Sequence, residues 1–76
     1  MSNGWNNRVI KKIDAHGDAY YQIHEVYYGD DGKPNSMTIK PITPLGDTLF
    51  GLRQELERFL SACDKPILDE NYREVE

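Results

Sequence analysis

The chain has a single cysteine, Cys63, and only two histidines, His16 and His24, in 76 residues. One thiol excludes an internal disulfide, and so few nitrogen and sulfur ligands exclude a structural zinc site of the usual kind. No apolar run approaches the length needed to cross a bilayer, and the N-terminus shows no signal-peptide core. A lone thiol without an export signal leads to the expectation of a cytoplasmic protein. Positive charge is also scarce: nine Lys and Arg stand against 13 Asp and Glu, a net charge of −4. The deficit lies in the second half. Residues 1–40 balance five cations (Arg8, Lys11, Lys12, Lys33, Lys40) against five acids, whereas residues 41–76 carry four cations and eight acids. General nucleic-acid binding needs a positive surface and is disfavoured.

A chain this short supports one domain and buries only about 60% of the surface its unfolded form exposes. A large internal substrate cavity is not expected. With disulfide and metal removed, self-association is the remaining source of extra stability, and a homodimer is expected.

The pattern along the chain is that of an α+β protein. Residues 1–6 are polar and contain glycine, which reads as a flexible N-terminus. Asn7 to Asp14 reads as a strand, Ala15-His16-Gly17-Asp18 as a turn, and Ala19 to Tyr28 as the strongest strand, dense in Tyr, Ile and Val. Gly29 to Asn35 is turn-rich, and Ser36 to Lys40 reads as a shorter strand with Met37 and Ile39 on one face. Short connections predict a three-stranded antiparallel meander. Pro41 and Pro44 cannot donate ladder hydrogen bonds, so this segment is a crossing loop. Asp47 or Thr48 can cap a helix. Leu49, Leu52, Leu56, Phe59, Leu60 and Cys63 then recur at helical spacing, predicting a C-terminal amphipathic helix whose stripe lies on the sheet. Gly51 weakens that helix by about 1 kcal/mol unless close packing requires it. Ile67-Leu68 can add a short fourth strand, giving β-β-β-α-β over residues 7–68, with residues 69–76 as an acidic, frayed tail.

The order of strands, Gly46-Asp47-Thr48-Leu49 and the helix through Cys63 resemble the HicB antitoxin domain, with partial RNase-H-like architecture. The resemblance covers about half the chain. The stretch Pro41-Ile42-Thr43-Pro44-Leu45-Gly46 is a loose echo of that family's Pro-Asp-Leu-Pro-Gly-like segment, and its DNA-binding extension is absent. The resemblance implies a toxin-neutralising protein partner. The Tyr-Gln-Ile-His-Glu-Val-Tyr-Tyr strand is also similar to small uncharacterised bacterial proteins, which imply no activity.

Residues with reactive side chains do not combine into a catalytic, cofactor or metal site. His24 and Glu25 are strand neighbours and point to opposite faces. His16 lies in a turn and is expected in solvent. Cys63 falls on the apolar stripe at the C-terminal end of the helix, where the dipole disfavours a thiolate, so a packed core position is expected. Gly29-Asp30-Asp31-Gly32 lacks the spacing of a calcium loop. Gly46-Asp47-Thr48 lacks the lysine of a phosphate loop and reads as a cap.

Alternation divides the long strand into Ala19, Tyr21, Ile23, Glu25, Tyr27 and Tyr20, Gln22, His24, Val26, Tyr28. One helix covers one face. If the first set meets the helix, the second exposes Tyr20, His24, Val26 and Tyr28 as an aromatic contact surface. The function expected is a non-catalytic protein–protein interaction module, with no cofactor, membrane or small-molecule substrate. The alternative is RNA or single-strand binding: Tyr20, Tyr28 and His24 would stack bases while Arg8, Lys11, Lys12 and Lys40 contact phosphates.

Overall fold

A computed structural model describes residues 4–75. The α+β class holds, but the sheet is five-stranded and mixed. The elements are β1 (Trp5–Ile13), β2 (Ala19–Tyr28), β3 (Pro34–Met37), α1 (Leu49–Ala62), β4 (Ile67–Asp69) and β5 (Glu74–Val75). The strand order is β3-β2-β1-β4-β5. β1–β2, β2–β3 and β4–β5 pair antiparallel, whereas β4 pairs parallel with β1. A wholly antiparallel sheet is thereby corrected. β3 and β4 run the same way on opposite sides of the β1–β2 pair, which requires the long crossover containing α1.

Several boundaries move. β1 begins at Trp5, so Trp5 and Asn6 belong to the ladder, which Gly4 extends by accepting from the Tyr28 amide at 3.0 Å. The rest of the flexible N-terminus expected from sequence, residues 1–3, lies outside the described residues. β3 occupies Pro34–Met37 rather than Ser36–Lys40; beyond it, single bonds from Thr38 N to Glu25 O and from Ile42 N to Ile23 O keep the chain beside β2. The acidic tail is not frayed through Val75, because Glu74–Val75 pairs with β4.

Two of the three hairpin turns share one design. Asp14 Oδ1 accepts from the amides of His16 (2.8 Å) and Asp18 (2.9 Å), and Gly17 has φ 85°. Asp69 Oδ1 likewise accepts from the amides of Asn71 (2.8 Å) and Arg73 (3.0 Å), with Tyr72 at φ 65° where the first turn has glycine. At Asp69 the amide bonds favour the charged carboxylate and hold its pKa below the ordinary value, chiefly through the Arg73 amide.

Thr48 caps α1 as expected, its Oγ1 accepting from Gly51 N at 3.0 Å. Gly46 is required: a Cβ there would run into the backbone of Leu52 and Gly51. A Cβ on Gly51 would meet Thr48 Oγ1 only at an ordinary 3.4 Å, so close packing does not demand glycine at 51.

The core is small. Ile10, Val26 and Leu68, from β1, β2 and β4, form its buried cluster, with Tyr28 and Met37 packed against it. Among the described residues no helix side chain enters this cluster. The strands close it themselves, and α1 stands against β1, with Ala62 its buried residue. The radius of gyration, 13.3 Å, exceeds the about 11.4 Å of a compact domain of this length.

Candidate functional site

The helix turns the wrong side outward for a lid. Leu49, Leu56 and Leu60 fall within about 40° of one another around the axis at 3.6 residues per turn. They are exposed by 78%, 47% and 69%. Gly51, Glu55 and Ala62, rotated roughly 120–160° from them, face inward, and Leu52 and Phe59 at the margin are half-buried. Phe50 and Cys63 are exposed as well. The expectation that the stripe lies on the sheet, with Cys63 in the core, is therefore corrected. The buried cluster of the sheet's inner face takes no helix side chain, and Leu49, Leu56 and Leu60 stay exposed.

The aromatic surface expected on β2 is also reversed. His24 and Val26 are 0% exposed, and Tyr28 is half-buried against the core. Only Tyr20 of the four is exposed. The register explains this. Asn6, Arg8, Ile10 and Lys12 oppose Val26, His24, Gln22 and Tyr20, and all share the face that holds Ile10 and Val26. Of the other set Tyr21 and Tyr27 are exposed, as are Trp5 and Ile13 on the same face, while Ile23 and Glu25 are half-buried and Val9, opposite Ile23, is buried. The Tyr27 hydroxyl donates a hydrogen bond to Glu25 Oε1 at 2.9 Å, which raises the Tyr27 pKa.

The inner face carries two buried cations, Arg8 and Lys12, at positions where surface phosphate contacts are expected from sequence. Arg8 is 8% exposed; its guanidinium donates to Tyr28 Oη at 2.6 Å and to the Pro66 carbonyl at 2.7 Å. Tyr28 in turn donates to Asn6 Oδ1 at 2.8 Å. Buried Lys12 donates to Gln22 Oε1 at 2.9 Å. Among the described residues neither cation has a carboxylate within ion-pair distance; the pair seen is Arg58–Glu55 on the helix. Arg8 and Lys12 are thus not phosphate contacts, and Tyr28 and His24 are not open stacking platforms.

His24 sits directly opposite Arg8. Its Nδ1 lies 2.9 Å from the Thr38 carbonyl oxygen, which only accepts, so Nδ1 carries the proton. Nε2 is buried without a partner. Burial lowers the His24 pKa below 6.5, the nearby Lys12 charge adds to this, and the Thr38 carbonyl and Glu70 oppose it. The folded chain resists protonation that the unfolded chain accepts. Stability conferred by neutral His24 is complete above about pH 6.5 and is lost as pH falls toward the depressed folded value. Melting temperature should therefore decline from pH 7 to pH 5, and His24→Leu should flatten that slope. An unchanged slope in the variant would show that His24 does not carry it.

A shallow cleft of about 240 Å³ lies where β1 meets the helix end, lined by Trp5, Asn6, Asn7, Arg58, Ser61 and Lys65. Among the described residues no three His, Cys, Asp or Glu side chains gather as a metal set. None of the described helices is long and apolar enough to cross a membrane. The amphipathic period alone flagged the leucines; only the tertiary placement shows them uncovered. No protein-family model, curated protein or solved structure matches this chain.

Proposed function

We propose that this chain is a non-catalytic protein–protein interaction module whose contact surface is the leucine side of α1. The carrying observation is the exposure of Leu49, Leu56 and Leu60 on one side of a helix that contributes nothing to the central buried cluster. Exposing an apolar stripe of this kind to water is unfavourable, and free energy falls when a partner displaces that water. Exposed Arg53 and Glu57 beside it supply a polar rim. An antitoxin-like role, as the HicB resemblance implies, is the special case in which the partner is a toxin. A cytoplasmic setting suits the exposed, unpaired thiol of Cys63.

The test is the double variant Leu56→Glu with Leu60→Glu. Surface positions tolerate polar exchange within about 0.5 kcal/mol, so the isolated monomer should keep its circular dichroism and lose no more than about 4 °C of melting temperature. Association seen with the wild-type chain should disappear. A double variant that unfolds would show that the leucines belong to the interior, and would end this reading.

A further inference from the structure

We infer that the partner on the leucine side of α1 is a second copy of this chain, its helix docked antiparallel about a two-fold axis between residues 54 and 55. The inference rests on the interaction-module reading above. Three observations converge on it.

The first is area. The accessible surface is 5557 Å², where a chain of this mass normally exposes about 4800 Å². The excess is close to the about 800 Å² that each partner contributes to a standard protein interface.

The second is self-complementarity. A two-fold interface must match its own image: where residue i meets j, residue j meets i. About an axis between 54 and 55, Leu49 of one copy meets Leu60 of the other at both ends. Leu52 and Leu56 of the two copies surround the axis.

The third is charge. Arg53 and Glu57 lie four residues apart on the same flank of the stripe, both exposed. The antiparallel pairing sets Arg53 of each copy beside Glu57 of the other, twice by symmetry. In a parallel pairing the flank that carries Arg53 and Glu57 would face the opposite flank of the other helix, and the two charges would not meet.

Sedimentation of the wild-type chain should show a concentration-dependent dimer. Arg53→Glu leaves two acids on the flank, and Glu57→Arg leaves two cations. Each variant alone should dimerise more weakly, and an equimolar mixture should form a heterodimer about tenfold tighter than either homodimer. Equal affinities in the mixture and the separate variants would overturn the register. Cys63 serves as a reporter of orientation, being exposed and the only cysteine. Spin labels on it should be separated by about 25 Å or more, from the rise of 1.5 Å per residue on each side of the axis. A separation below about 15 Å would overturn the antiparallel sense. A wild-type monomer at about 1 mM, combined with an intact Leu56→Glu, Leu60→Glu variant, would overturn self-pairing and leave the interaction module standing. A wild-type monomer together with an unfolded double variant would overturn both.

Discussion

Leu68→Ala is expected to lower the melting temperature by about 15–20 °C and to leave a substantial unfolded fraction at 37 °C. Leu68 is 1% exposed and belongs to a cluster that contains only two other fully buried aliphatic side chains, Ile10 and Val26. Removing a buried leucine side chain costs about 2–5 kcal/mol, because the lost transfer energy is joined by a cavity that the surroundings only partly fill. A domain of this size has roughly 5–10 kcal/mol in total. Each kcal/mol moves the midpoint of so small a domain by about 4–8 °C. Leu68 also holds β4 against β1 through the Ile10–Leu68 register, so the loss reaches the parallel pairing that closes the sheet. Leu45→Ala, at a position 78% exposed, is the control and should move the midpoint by no more than about 4 °C. Thermal melts of both variants, followed by circular dichroism, decide the matter. A Leu68→Ala midpoint within about 5 °C of the wild type would place the stabilising core elsewhere.

The local elements were legible because their signals are local. Asp14 to Asp18 is a turn by its Asp and Gly, and the Asp14 carboxylate indeed closes it. Thr48 caps the helix that the leucine spacing predicts. The β4–β5 turn repeats the same side-chain design from Asp69. Its legible sign was an aspartate five residues before the return strand, but Tyr72 stands where the first turn has glycine and hides it. The face assignments were not legible, for a physical reason. Both alternating sets of β2 contain tyrosines, so polarity does not choose between them. The choice is made by β1, whose inward set is Asn6, Arg8, Ile10 and Lys12. Placing two cations inward runs against every burial preference, and only their hydrogen bonds to Tyr28, Pro66 and Gln22 make it tolerable. Periodicity likewise identified the apolar side of the helix but not what it meets. That depends on whether the strands need a lid, and here they close on themselves.

The inward Arg8 leads to the second large effect. Arg8→Ala is expected to cost about 3 kcal/mol, whereas Arg8→Met should cost less than about 1 kcal/mol. Arg8 is 8% exposed; its guanidinium faces no carboxylate among the described residues and leaves Nε without a partner. Its charge is therefore desolvated with only two hydrogen bonds in return, a balance that an apolar side chain of similar volume can match or improve. Both variants take the Arg8 donor from the Pro66 carbonyl, but alanine removes the packing stem as well, opening a cavity between β1 and Tyr28. Methionine keeps the volume, and Tyr28 can still donate to Asn6. Urea titrations of the two variants separate packing from charge. If methionine proves as damaging as alanine, the fold depends on the positive charge itself, and an acidic group outside the described contacts must be supplying the compensation.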